Sequence, residues 1–190
     1  MSKPVNISLY LFEMQESQRA WAKSNFGEQT PIQMMMGLLG ELGEFHEHWE
    51  IHRIDACKDS LVDDIGDVGV YLMNYCNLKG WSIGKLLEVM KPANAFAEDY
   101  PWDIMPFVKW LPHHQLKGDQ NIRGGTVFHD ARMQDVLSNM LWQLNEVAKD
   151  LGTTFFDCLC KTWSKVSKRD WVLHPDNADE VVEKQESKDD

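Results

Sequence analysis

Two short acidic motifs constrain this chain more than any other feature: Gly40-Glu41-Leu42-Gly43-Glu44 and, further on, Asp63-Asp64-Ile65-Gly66-Asp67. Each holds two acids three residues apart, a spacing that on a helix puts both carboxylates on one face across a single turn. If the two helices pair as an antiparallel hairpin, Glu41, Glu44, Asp64 and Asp67 converge. Carboxylates that share a half-buried site must take up protons or be neutralised by a cation. An oxygen-only donor set of this kind suits Mg2+, with Mn2+ as the second choice.

The flanking residues place these acids on a core-facing hairpin. Met35, Leu38, Leu42, Phe45 and Trp49 recur at helical spacing, as do Leu61, Ile65, Val68, Leu72 and Tyr75. Beside the second stripe runs a polar line of Asp64, Asp67, Tyr71 and Asn74. A glycine inside a helix costs roughly 1 kcal/mol against alanine. Yet Gly37, Gly40, Gly43, Gly66 and Gly69 all fall here, which predicts a close backbone approach that lets short aspartates share a metal with glutamates. The competing reading is a solvated acidic face, because Glu47 and Glu50 continue the three-residue ladder.

The stretches GLLGELGEFHEHWE and DDIGDVGVYL, with EMQESQRAWAKSNF before them and KTWSKVSKRDW after, resemble the MazG-like all-α nucleoside triphosphate pyrophosphohydrolases. The resemblance covers most of residues 8–90 and 135–172. It departs at Asp64, where the family usually carries a glutamate one methylene longer. The resemblance implies Mg2+-dependent cleavage of a (d)NTP between its α and β phosphates, giving a (d)NMP and pyrophosphate. It implies Glu41, Glu44, Asp64 and Asp67 as metal ligands, with Glu41 or Glu44 as the base. Lys161, Lys165 and Arg169 match the family's basic closing motif and become candidates for the triphosphate, although cations are favoured near a helix C-terminus in any case. Tyr71 and Asn74, one and two turns beyond Asp67, would line the nucleotide pocket; a core-facing Tyr71 with a satisfied hydroxyl is the competing account. The resemblance also implies a homodimer or homotetramer. Two alternatives stand beside it: a catalytically weak relative acting as a helical nucleotide-binding or regulatory module, and a dUTPase-like member of the same superfamily.

Composition sets outer limits. At 190 residues and 43% hydrophobic, with eight tryptophans, the chain suits one domain over residues 1–175, followed by an acidic tail expected to be disordered over 176–190. A formal net charge of −11 argues against non-specific nucleic-acid binding, which needs Lys and Arg on phosphates. No apolar run reaches the ~20 residues needed to span a membrane. The opening Met-Ser-Lys-Pro-Val-Asn has no apolar signal core, which predicts a cytoplasmic protein with Cys57, Cys76, Cys158 and Cys160 reduced. His46, His48 and His52 read as exposed histidines on an acidic helix rather than as zinc ligands.

In chain order, residues 8–25 read as a helix. Trp21 and Phe26 read either as base-stacking rings or as hydrophobic anchors where the helix meets the loop, the anchor being the favoured reading for Trp21 and the two standing level for Phe26. Thr30-Pro31 opens the first acidic helix, the hairpin loop falls near Ile54–Lys58, Gly80 stops the second helix, and Ser82 opens a short one to about Met90. Residues 91–130 form the expected irregular insertion, rich in proline and glycine, with a small β-hairpin over Asn121–Phe128. Lys109, His113, His114, Lys117 and Arg123 make it locally positive, either a lid over a nucleotide or a surface for a partner subunit. Helical spacing returns near Asp130, Gly152 ends that helix, and Thr154 with Asp157 starts the last one. Asp135–Lys161 weakly echoes Asp63–Val89, with Val136 and Asn139 where the acids stood. The fold class expected is therefore all-α: a bundle of five or six helices with one irregular insertion.

Overall fold

The computed structural model describes residues 6–52, 58–90, 104–121 and 124–175. These residues form seven helices and no strand: α1 (Ile7–Phe26), α2 (Pro31–His52), α3 (Lys58–Lys79), α4 (Ile83–Glu88), α5 (Met105–Asp119), α6 (Gly125–Asp150) and α7 (Phe155–Val166). Helix starts follow local chemistry. Asn6 accepts from the Leu9 amide, and Thr30 and Gln33 cap each other across the first turn of α2. The Ser82 and Thr154 hydroxyls accept from the amides of Lys85 and Asp157.

Helix α3 is the axis of the molecule, with Leu61, Ile65, Val68, Leu72, Met73 and Tyr75 fully buried. The α2 helix lies antiparallel to it: Gln29 and Met34 meet Asn74, Gly37 meets Tyr71, and His48 meets Asp64. On another side α7 is also antiparallel, since Asp63 meets Lys161 and Lys165 while Gly69 meets Phe155 and Leu159. α1 is joined to α3 and α4 through polar contacts. Asn77 donates to Gln15 and Gln18, and Gln15 bridges the Trp81 carbonyl and the Ile83 amide. The α5–α6 hairpin closes the remaining side, tied to α3 by the Tyr75 hydroxyl on Gln115 and by the Lys79–Asp130 ion pair at 2.8 Å.

Of the five glycines expected to allow close approach, Gly37, Gly66 and Gly69 do so, and Gly40 and Gly43 do not. A Cβ on Gly66 would run into the Thr162 side chain and the Cys158 carbonyl, so Gly66 lets α7 lie against α3. A Cβ on Gly37 would overlap the Tyr71 ring. Gly40 and Gly43, between the α2 acids, face open space: a Cβ on either would meet no atom within 4 Å. Gly40 and Gly43 therefore do not bring α2 closer to α3; Gly37, against Tyr71, does.

The insertion expected over 91–130 is corrected where the structure describes it. Residues 105–119 are the helix α5, with Phe107, Leu111, Gln115 and Gly118 turned inward. Its period was hidden because polar and small residues share the inner stripe, while Met105, Val108 and Leu116 are exposed on the outer one. Pro106 falls in the first turn, where its missing N–H is unneeded, and Pro112 is carried inside the helix. The β-hairpin expected over Asn121–Phe128 is corrected where it is described: residues 122 and 123 lie outside the described residues, and 125–128 open the helix α6. Asn121, Gly124 and Gly125 take positive φ (52°, 107° and 75°), and α6 begins at once. Arg123, Trp102, Cys57 and the proposed tail lie outside the described residues.

Candidate functional site

One cavity of about 550 Å³ opens between α1, α2, α3 and the segment that follows α7. Its size falls within the ordinary range for small-molecule clefts. The aromatic wall consists of Trp21, Phe26 and Trp171. Trp21 packs edge-on to both Phe26 and Trp163, with ring centroids 5.5 and 5.7 Å apart. The expected anchoring role of Trp21 is thus real, and the same ring also borders the cavity.

The wall is completed by the segment that follows α7. α7 stops at Val166, so Arg169 lies beyond the last helix rather than on it. The Trp21 indole donates to the Arg169 carbonyl at 3.0 Å, and the Trp171 amide donates to the Asn25 side chain at 2.7 Å. These two bonds pin residues 169–171 across the end of α1 and present both the Arg169 side chain and the Trp171 ring to the cavity.

Glu41 from α2 and Asp67 from α3 reach the same cavity, together with Tyr71 and Asn74. Glu41 is half-buried, and that burial, followed by the charges of Asp67, Glu44 and Asp64, pushes its pKa from 4.5 up to about 7. Burial likewise raises Asp67 from 3.8 to about 6; Arg169 pulls it down, while Asp64 and Asp63 push it up. Burial and then the charges of Glu41, Asp67 and Glu44 raise the Tyr71 phenol. Tyr71 lies over Gly37, half-buried, so the ring is neither wholly core nor wholly exposed.

The other sequence candidates are distributed differently. Glu44 is exposed at the edge, close enough to raise Glu41 but outside the cavity lining. Asp64 is buried and bonded to His48, its Oδ2 2.6 Å from Nδ1. Burial raises the Asp64 carboxyl against the pull of His48, and the bond to Asp64 raises His48. His48, expected as one more exposed histidine, is therefore the partner of a predicted ligand. Lys161 and Lys165 are claimed by Asp63, at 2.8 and 3.5 Å, and do not line the cavity. Burial would raise Asp63, but the two lysines hold its carboxyl below the ordinary value.

Among the described residues no group of three or more His, Cys, Asp or Glu is arranged so that it could hold a metal ion. Glu41 and Asp67 are nonetheless oxygen donors of the right kind for Mg2+, half-buried and mutually repelling, and Glu44 adjoins them. Sequence reasoning missed Gln18, Gln29 and Trp171. The amides come from α1 and the following loop, where nothing in the spacing separates a cavity-lining glutamine from a surface one. Trp171 lies in a segment with no periodicity, and only the tertiary contact to Asn25 brings it in. No helix among the described residues is long and apolar enough to cross a membrane. Cys76, Cys158 and Cys160 are free thiols, and burial pushes Cys76 and Cys158 up to about 12 and 11. The chain matches no family model, no curated protein and no solved structure.

Proposed function

We propose that this chain is a MazG-like nucleoside triphosphate pyrophosphohydrolase, cleaving between the α and β phosphates. The observation that carries the reading is one cavity bordered by stackable aromatic rings, by the Arg169 cation and by two half-buried acids from facing helices, Glu41 and Asp67. A planar base needs the first of these, a phosphate chain the second, and a divalent ion the third. The raised pKa values of Glu41 and Asp67 support this division: every influence on Glu41 raises it, and burial raises Asp67 in spite of the Arg169 charge.

In this reading Glu41 and Asp67 would hold Mg2+, the exposed Glu44 would have to turn in to join them, and Asp64 would join only by leaving His48. When bound, the ion supplies charge neutralisation at the phosphates and lowers the pKa of an attacking water. The chain's own groups do the rest. Arg169 binds phosphate oxygens, Phe26 and Trp171 border the base, and Tyr71 closes the floor beside Gly37. The pKa of about 7 for Glu41 belongs to the metal-free protein; beside a bound cation the carboxyl would return to its ionised form, ready to hold the ion or orient the attacking water. Lys161 and Lys165 enter only if the phosphate chain draws them from Asp63.

The test is pyrophosphate release from each ribo- and deoxynucleoside triphosphate with Mg2+, with Mn2+ and with chelator. Metal-dependent release that Glu41→Gln and Asp67→Asn abolish is the expected result; orthophosphate alone, or turnover in chelator, overturns the reading. A second reading, a helical nucleotide-binding module with weak or no catalysis, is favoured by one observation: the His48–Asp64 bond holds a predicted ligand away from the other acids. It predicts nucleotide-induced thermal stabilisation without pyrophosphate release.

A further inference from the structure

The cavity contains three side-chain amides, Gln18, Gln29 and Asn74, whose hydrogen bonds leave a defined remainder. Gln18 is 1% exposed and Asn74 is 7% exposed, so neither is an ordinary surface amide. Asn77 donates its Nδ2 to the Gln15 carbonyl and accepts from Arg19, which fixes which of its atoms is nitrogen. That Nδ2 also donates to Gln18 Oε1 at 2.6 Å, so Gln18 must turn its Nε2 elsewhere. Within the described residues Gln18 Nε2 has no partner. Asn74 donates to Gln29 Oε1 at 2.8 Å and to the Met34 sulfur, leaving Asn74 Oδ1 and Gln29 Nε2 unpartnered.

The remainder is two donor groups and one acceptor. It survives the usual ambiguity of amide orientation. Turning Asn74 and Gln29 over together keeps their mutual bond and leaves Asn74 Nδ2 as the donor and Gln29 Oε1 as the acceptor. The count is unchanged. None of these three atoms is fully shut off from water, so a ligand that enters must replace the water they bind, and one that satisfies all three is favoured over one that does not.

Nucleobases differ in this count. Uracil and thymine offer two carbonyl oxygens and one N–H; cytosine offers a carbonyl oxygen, a ring nitrogen and an amino group. Each therefore brings two acceptors and one donor, the complement of the cavity. Guanine brings one acceptor and two donors on its pairing edge, the reverse, and adenine brings only one of each. Beside the amides, Phe26 and Trp171 face the same cavity with ring centroids 6.4 Å apart and planes 39° from parallel. A base between two rings needs about 7 Å, two stacking distances, within the reach of a small rotation of Trp171.

From this we infer that the cavity selects a pyrimidine nucleotide, read on its pairing edge by Gln18, Gln29 and Asn74 and held between Phe26 and Trp171. The inference deepens the nucleotide reading of this cavity and rests on it.

The experiment has two arms, chosen so that the two readings fail separately. The first is calorimetric binding of CMP, UMP, dTMP, AMP and GMP in chelator, which needs neither metal nor turnover. The second is pyrophosphate release from the corresponding triphosphates with Mg2+. At least one pyrimidine should bind about tenfold or more tightly than either purine, because a site built to hydrogen-bond a base rejects one that leaves its polar atoms unpaired. Gln29→Leu should reduce that preference to within about threefold. So should Gln18→Glu, which keeps the bond to Asn77 and exchanges the donor for an acceptor; it serves if the first variant misfolds. Equal binding of all five, tighter binding of a purine, or no binding at all overturns the pyrimidine inference. Equal turnover of all triphosphates overturns it too, and leaves the hydrolase standing. Selective pyrimidine binding without pyrophosphate release sinks the hydrolase alone.

Discussion

Glu41 and Asp67 carry pKa shifts whose direction makes their contribution to folding measurable. Both carboxyls are raised in the folded protein, to about 7 and about 6. A group raised on folding contributes its stability fully below its ordinary pKa and loses it as pH climbs through the folded value. The metal-free protein should therefore lose Tm steadily from about pH 4 to pH 7, with most of the change above pH 5. Glu41→Gln should flatten part of that slope and leave Tm at pH 8 equal to wild type or higher, since it removes charge from a crowded half-buried site. Differential scanning calorimetry in chelator checks this; a profile that rises across the window rejects the raised pKa values of this pair. His48 acts on the same cluster through Asp64. His48→Gln should release that carboxylate and tighten Mg2+ binding, read as a lower metal concentration for half-maximal thermal stabilisation.

Between elements, the contrast is between glycines that are needed and glycines that are not. Gly66 sits where α7 touches α3, and a methyl there meets Thr162 and the Cys158 backbone. Gly66→Ala should cost about 1–3 kcal/mol, because a backbone cannot step aside as a flexible side chain can. Gly40 has nothing within 4 Å of that position. Gly40→Ala should instead stabilise the isolated chain by up to about 1 kcal/mol through lower backbone entropy in the unfolded state. Chemical denaturation of the two variants decides the matter. If Gly40→Ala destabilises, another molecule covers that face of α2 in solution.

For the whole molecule, the cavity is made by bringing the segment that follows α7 back to the end of α1. Two hydrogen bonds do this, Trp21 to the Arg169 carbonyl and the Trp171 amide to Asn25. Asn25→Ala removes the second and should cost about 1 kcal/mol of stability, the usual net value of one such bond. Its larger effect should fall on ligand binding. With Trp171 untethered, KM for the best nucleotide should rise about tenfold, since positioning a wall residue is part of the binding free energy. A KM unchanged from wild type would show that Trp171 is not part of the site.

The class of this fold was legible in the chain because it rests on local physics. Apolar residues at helical spacing, the Thr30, Ser82 and Thr154 caps, and the Gly80 and Gly152 stops each act within a few residues, and the structure follows them. The facing of Glu41 by Asp67 was legible too, since helical spacing determines which side an acid occupies. Helix α5 was not, because prolines and an inner stripe containing Gln115 and Gly118 obscured a period that packing against α6 sustains. Nor were the partners chosen among competing charges. Lys161 and Lys165 had the composition of a phosphate site, but Asp63 lies closer; Asp64 had the spacing of a ligand, but His48 on the facing helix reaches it first. Sequence spacing determines the face a charge presents. Which neighbour satisfies it depends on distances across helices, and those exist only once the helices are packed.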